Sequence, residues 1–487
     1  MAAVKITFIG GGSYQWGVAL VRDMLVTKGL DGSELVLMDI SPVGAEDVRK
    51  ASMAVQARTK TRWRISTTSN RKSALRNADF VILCISTGAL DSMEHDLEIP
   101  LKYGVHQTVG DTTGPGGLNR ALRNIPVFTD IMRDVNSICP DAWVMNLTNP
   151  MTTLTDAVLR SSLSGRAVGL CHEIYGGRSF ISYLLGINPD EPSFKVCSAG
   201  INHCIWMLGA SCYGENLIPK IKAAVTDKEL AWSGAKKLLK KNDFENFWKG
   251  TAVKRGLMRM TGVLPLAGDR HTVEFFGHFT NDPTLVPDYW GTRFTTITDR
   301  REKWLPRMKK KTLDIASGRE KIELRCSHEP VAPIMDAIVN SRTYHLEAGN
   351  LRNIGQIPNL PMGAVVETPC IVSSDGIRPV AVGKMPSAVA AVLAGHCHRQ
   401  QMIVDAAMNA DRDLALAALI SDPMVQDAST VSQMLTEMME ATAQWLPQFY
   451  PKGLKRKTRP IMKRSAPAAQ ASPKLGMENM PDEIAKR

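Results

Sequence analysis

The chain has 487 residues, 44% hydrophobic and 22% charged, an ordinary globular composition with enough apolar material to bury substantial cores in two domains. The formal net charge is +11, but residues 451–487 hold ten Lys/Arg against three Asp/Glu, which leaves the preceding 450 residues close to neutral. Nine scattered cysteines lack the dense spacing of a disulfide framework, and no stretch is apolar enough to span a bilayer, so a reducing, cytoplasmic setting without membrane partners is expected.

In chain order, an apolar run from Val4 ends in Gly10-Gly11-Gly12-Ser13, and the residues to about Lys28 have helical character through Val18, Leu20, Val21 and Leu25. This is strand, glycine turn, helix. A second run, Glu34 to Ile40, closes on Asp39, and a third, Asp79 to Ile85, is followed by Ser86-Thr87-Gly88. Ala142–Met145 and Ala167–Leu170 read as further buried strands, followed at once by Asn146-Leu147-Thr148-Asn149-Pro150 and by Cys171-His172-Glu173. Strands separated by helices predict an α/β fold, a Rossmann-like doubly wound parallel sheet, over residues 1–197. Polar groups then gather at the carboxyl ends of the strands, where such sheets bind ligands. From residue 198 to about 450 the alternation is lost, which predicts an α+β domain covering the cofactor crevice. Residues 451–487, rich in Pro, Ala, Ser and cations, read as a basic, disordered extension.

Glycine lets a backbone turn tightly and approach a pyrophosphate, while the helix that follows offers free N–H groups. Gly10, Gly11, Gly12 and Ser13 meet that need, although Gln15 stands where a third fingerprint glycine would fall. Asp39 at the second strand end can accept from a ribose and repels a 2′-phosphate, which favours NAD over NADP. Ser86 and Asn146 end neighbouring strands and join the cofactor set. A tight turn without a cofactor, and a solvent-facing Asp39, are the plainer readings. Cys171-His172-Glu173 and Gly200-Ile201-Asn202-His203 place a thiol, imidazoles and a carboxamide on two loops able to share a borderline divalent ion. An inert thiol and a hydrogen-bonded histidine would look the same.

Together with GDTTGPGG at 110–117, NLTNP at 146–150, GDRH at 268–271 and NLPMGAVVET at 359–368, these pieces, in this order, resemble glycoside hydrolase family 4, and within it the α-galacturonidase-like members. The resemblance covers most of residues 4–440. It implies NAD and Mn²⁺ or another divalent ion, and a redox-assisted elimination. Hydride leaves C3 of the sugar, a base takes the acidified C2 proton, the C1 substituent departs, water adds, and the hydride returns. By the same resemblance Cys171 and His203 are metal ligands, Asn149 holds substrate hydroxyls, His172 is the acid for the leaving group and Asp269 the C2 base. Asp111 assists proton transfer or contacts the sugar, with a helix cap as the plain alternative. Arg270 and His271, flanking Asp269, are expected to bind the substrate, Arg270 as the fork for a uronate carboxylate unless it pairs with Glu274.

The substrate is thus a small glycoside or uronide, and a homo-oligomer, dimer or tetramer, is expected. A 2-hydroxy-acid dehydrogenase shares the turn and Asp39, but needs no metal and accumulates reduced cofactor. An NAD-sensing or nucleic-acid-binding protein has only the basic tail behind it, and that tail lacks interleaved aromatics. His396-Cys397-His398 falls in a helical stretch, where i and i+2 side chains diverge, so no shared ion is expected there. Trp143 and Trp206, next to site motifs, read as wall or core.

Overall fold

The apolar runs become the centre of one sheet. In the computed structural model, which describes residues 3–451, β1 (Lys5–Ile9), β2 (Glu34–Met38), β3 (Arg64–Thr68), β4 (Phe80–Leu83), β5 (Trp143–Asn146) and β6 (Ala167–Gly169) run parallel in the order β3-β2-β1-β4-β5-β6. This is the doubly wound dinucleotide-binding order, with its switch point between β1 and β4. Along β2 and β4 successive side chains enter opposite cores. Leu35, Leu37, Phe80 and Ile82 share one with Ile6 and Phe8, while Val36, Met38, Val81 and Leu83 enter the other. Burial on both faces is why these strands read as continuous apolar runs rather than as alternation. β3 has no such run to announce it, because RISTT forms an edge strand with none of its residues fully buried.

The chain after residue 197 extends the same sheet. β10 (Tyr344–Arg352) pairs antiparallel with β6, and β11 (Val365–Ser373), β7 (Lys195–Ile201), β8 (Cys204–Cys212) and β9 (Glu215–Asn216) follow, all antiparallel, with β12 (Gly376–Pro379) beside β11. This half has the anticipated α+β character. The position between residues 197 and 198 lies inside β7, at a bulge where its pairing with β8 shifts register. Helices Ser387–Asn409, Arg412–Ile420 and Val431–Ala441 return from the far end of the chain onto helix Gly114–Ile138, in the core that holds Val81 and Leu83.

On the first of these helices His396 and Cys397 are buried while His398 is exposed, and His396 Nε2 lies 2.9 Å from the Phe275 carbonyl, a structural bond. Trp206 is wholly buried and Trp143 packs against the core of β1. No helix among the described residues is long and apolar enough to cross a membrane. The reading of the basic extension concerns residues 452–487, which lie outside the described ones.

Candidate active site

β1 is followed by Gly10, whose φ is +90° and where a Cβ would lie 2.0 Å from the Cys84 carbonyl oxygen; only glycine closes this turn. A Cβ on Gly11 or Gly12 would meet the backbone of Leu37 or Ala45 at 2.8 Å. Asp39 stands beside the turn and accepts from Gly12 N–H at 2.9 Å and Ser41 N–H at 2.8 Å, so it fixes the loop from the end of β2. Ser13 Oγ accepts from the Trp16 amide at 3.2 Å, and Ser86 is exposed just past β4. Asn146 is turned inward. Its carboxamide accepts from Thr148 N–H at 2.9 Å and donates to Thr155 Oγ1 at 3.0 Å, so it holds the 146–150 turn from within.

Four separate segments meet beyond the ends of β5 and β6. Cys171 Sγ lies 3.5 Å from His203 Nε2. His203 occupies the β7–β8 turn at φ +63°, with Nδ1 2.8 Å from the Thr112 hydroxyl, which in turn donates to Asp111 Oδ1 at 2.8 Å. That relay makes Nδ1 the protonated nitrogen and leaves the Nε2 lone pair facing the sulfur. Asp111, His203 and His271 each bring a ligand atom within 4.8 Å of the others, and the two imidazole centroids are 3.9 Å apart. Asp111 makes no helix cap. His271 Nε2 is 3.7 Å from Glu173 Oε1, and Glu173 Oε2 accepts from Gly268 N–H at 2.6 Å, which docks the GDRH turn onto the CHE segment. Asp111 and His271, expected beside the sugar, therefore form one group with His203, and Cys171 adjoins it only through His203 Nε2.

Charge in this group is strongly conditioned. Burial, with His271 next, brings His203 down to about 3, so the ring is neutral and a donor. Burial, reinforced by Glu367 and Glu173, pushes the Cys171 thiol well above its ordinary value, and only a nearby cation would release its proton. Burial works to raise Asp111, but His271, Arg120 and His203 hold it below the usual carboxylate range. Glu173 is treated likewise and reaches about 2, with His271 and His203 outweighing burial.

The remaining anticipated residues divide. His172 Nδ1 lies 2.7 Å from Glu329 Oε1, which raises its affinity for a proton, and its ring is 5.4 Å from that of Trp16. Asn149 keeps a buried Oδ1 without a partner. Asp269 is enclosed. Its Oδ2 accepts from the Val253 and Lys254 amides at 2.9 and 3.2 Å, Oδ1 has no hydrogen bond and lies 3.9 Å from Lys254 Nζ, and burial lifts the carboxyl to about 6. Arg270 spends Nε on the Arg293 carbonyl at 3.2 Å and Nη2 on Thr108 O at 2.8 Å and Thr295 Oγ1 at 2.5 Å. Glu274 does not pair with it. That carboxylate accepts from the Val109 and Gly110 amides at 2.7 and 2.9 Å. Thr112 and Glu173, members of motifs already singled out, act through their neighbours, whereas Glu329 comes from an irregular stretch with no motif of its own.

The profile of the family 4 glycosyl hydrolases matches residues 5–187, and that of their C-terminal domain matches residues 198–425. The chain belongs to glycosyl hydrolase family 4. As a family 4 glycosidase it is 34% identical to an α-galacturonidase of Thermoanaerobacterium saccharolyticum, over 91% of this chain and 96% of that one. It is 32% identical to an α-galactosidase of Bacillus subtilis, over 91% and 99%. Its fold is that of lplD from Bacillus subtilis, with a TM-score of 0.81 at 30% identity over 90% of this chain and 100% of the other. A 6-phospho-α-glucosidase from gut microorganisms, solved in complex with NAD and Mn²⁺, shares the fold at a TM-score of 0.76 and 20% identity, over 92% and 99%.

Proposed function

We propose that this family 4 glycosidase hydrolyses α-galacturonides with the aid of NAD and a divalent ion, manganese first among the candidates. The observation that carries the reading is the convergence of Asp111, His203 and His271, with the Cys171 sulfur 3.5 Å from His203 Nε2, because carboxylate, imidazole and thiolate donors together suit a borderline divalent ion. The partnerless buried oxygens of Asn149 and Asn202 add acceptors suited to a cation. For the dinucleotide the fit is steric, since Gly10, Gly11 and Gly12 sit where no Cβ is tolerated and lead into helix Gly17–Val26, as a pyrophosphate requires. Asp39 is assigned the ribose, with Ser13 and Ser86 beside it and Asn146 shaping the turn below. When bound, the dinucleotide supplies a reversible hydride acceptor and the ion a Lewis acid for the sugar oxygens.

The protein's own groups handle the protons. Asp269 is assigned the C2 proton, because Oδ2 is fixed by two amides, Oδ1 has no hydrogen bond, and a carboxyl at about 6 is ionised yet basic near neutrality. Its turn is docked through Gly268 on Glu173, and His271, two residues on, belongs to the donor group. His172, whose affinity for a proton is raised by Glu329, is assigned the leaving-group oxygen. Asn149 and Asp111 orient sugar hydroxyls, and Thr112 holds His203 in one tautomer. The galacturonidase relatives support a uronide, and the galactosidase makes neutral galactosides the necessary control. Nine unpaired cysteines support a reducing, cytoplasmic setting, and a dimer or tetramer is the expectation for sedimentation.

The test is a panel of nitrophenyl α- and β-glycosides, uronic and neutral, with and without NAD⁺, Mn²⁺ and a thiol reductant. The α-galacturonide should turn over only when all three are present, without accumulating reduced dinucleotide. Full-speed hydrolysis after both dinucleotide and metal are stripped would overturn the reading.

A further inference from the structure

Helix Gly114–Ile138 carries two arginines one turn apart that are treated in opposite ways. Arg123 is completely buried and saturated: Nη1 reaches Asp96 Oδ1 at 2.8 Å, Nη2 meets the other carboxylate oxygen, and Nε donates to the Thr87 carbonyl at 3.0 Å. Arg120, partly buried, has no carboxylate among the described residues, and its hydrogen bond is from Nε to the Asn149 carbonyl oxygen at 2.9 Å. Among the described residues neither of its terminal nitrogens has a hydrogen-bond acceptor. Burial lowers its guanidinium, and Asp111 opposes that effect, so the cation is within electrostatic reach of the donor group. A guanidinium with its outer edge free matches a planar carboxylate with two parallel hydrogen bonds.

The surroundings favour an anion and leave Arg120 to bind it. Arg300 acts electrostatically on both Arg120 and Arg270, and Arg293 on Arg270. Arg270 itself has two of its three guanidinium nitrogens committed to Thr108, Thr295 and the Arg293 carbonyl, so it supplies charge and pins the 293–295 segment to Thr108. The Asn149 that anchors Arg120 by its carbonyl is the same residue whose side-chain oxygen is buried without a partner.

We propose that Arg120, rather than Arg270, is the specificity-determining receptor for the C6 carboxylate of the substrate, held in place by the Asn149 carbonyl. This rests on the uronide reading above. The site is built for a glycoside with an anionic C6 group, and a neutral sugar would leave the fork unpaired, the situation that makes polar sites reject analogues lacking the matching group.

The experiment compares Arg120→Gln and Arg120→Lys with wild type, as holoenzyme, on nitrophenyl α-galacturonide and α-galactoside. Arg120→Gln should lose roughly 10²–10³-fold in kcat/KM on the galacturonide, chiefly through KM, and less than about tenfold on the galactoside. Arg120→Lys, which keeps the charge but not the fork, should recover part of the loss. Competitive inhibition by free galacturonate should weaken in parallel, with NAD and Mn²⁺ affinities and Tm unchanged. Equal losses on both sugars, or a weakened NAD affinity, would assign Arg120 to the fold or the cofactor and overturn the proposal. If Arg120→Gln does not fold, Arg120→Lys and inhibition of wild type by galacturonate against its C6 amide decide the matter; indifference to the C6 charge would overturn it. A wild type that ignores galacturonides but cleaves another uronide breaks the galacturonide reading alone, and Arg120 is then scored on that uronide. A preference for neutral sugars overturns both.

Discussion

The glycine turn and the donor group are built on different physical terms. The turn is closed by backbone and sterics: Gly10, Gly11 and Gly12 tolerate no Cβ against Cys84, Leu37 and Ala45, and Asp39 ties the loop down through the Gly12 amide. The donor group draws on residues 111–112, 171–173, 203 and 268–271, and it keeps unsatisfied acceptors and opposed charges in one place. The first is thus a settled piece of architecture. The second resembles a structure held short of its electrostatic minimum, as a site that must receive an ion and a reacting sugar would be. The two should therefore fail separately.

Cys171→Ser separates them most sharply. Losing the sulfur donor should cut kcat by about 10³-fold or more and weaken Mn²⁺ binding, as loss of a principal metal ligand does. NAD affinity, measured by fluorescence titration, should stay within about twofold, because the turn shares no ligand with the donor group. A variant with wild-type turnover would dissolve the distinction between the two regions.

Within the donor half, Asp269→Asn should cost about 10²–10⁴-fold and abolish incorporation of solvent deuterium at C2, which is the size and signature of a lost general base. Asp111→Asn should slow turnover but leave the exchange detectable. If Asp111→Asn removes the exchange and Asp269→Asn does not, the base is Asp111, and Asp269 merely secures the amides of Val253 and Lys254.

The turn is probed by Gly10→Ala. A methyl group 2.0 Å from the Cys84 carbonyl, at φ +90°, should destabilise the protein by about 2–3 kcal/mol and abolish NAD binding, while Mn²⁺ affinity survives. Calorimetry with each ligand alone checks this, and loss of both affinities together would show that the two regions are one cooperative unit.

This contrast also explains what the sequence makes legible. The parallel strands are readable because burial on both faces writes them as apolar runs, and the turn because glycines after the first strand have few other uses. β3 is hidden because an exposed edge needs no such run. Cys171 and His203 stand in motifs, and their meeting at 3.5 Å follows from β6 and β7 being brought into one sheet by β10 and β11. That pairing joins residues far apart in the chain, so no local period encodes it. The same holds for Glu329 on His172. Arg120 shows another limit: RALR gives two arginines three residues apart, and only the fold gives one of them Asp96 and leaves the other open.

The smallest effect tests which region yields first in acid. His396, on a helix from the far end of the chain, is bonded to the Phe275 carbonyl in the segment that follows His271. Arg399, itself near Asp422, faces its other nitrogen at 2.6 Å. Burial, then Arg399, brings His396 from 6.5 down to about 3. A folded pKa below the unfolded one means that the unfolded chain binds a proton the folded chain refuses. The contribution is therefore intact above 6.5 and is lost as pH falls from there towards about 3. The slope is at most about 1.4 kcal/mol per pH unit, or about 2 kcal/mol by pH 5. His396→Gln should flatten the Tm-against-pH curve between about pH 5 and 6.5, whatever it does to Tm itself. In the wild type, hydrogen exchange in that window should quicken at residues 273–276 before it does at 10–13, because only the former are held by His396. An unchanged slope in the variant would move the acid sensitivity to another group and leave the glycine turn and the donor half equally exposed to acid.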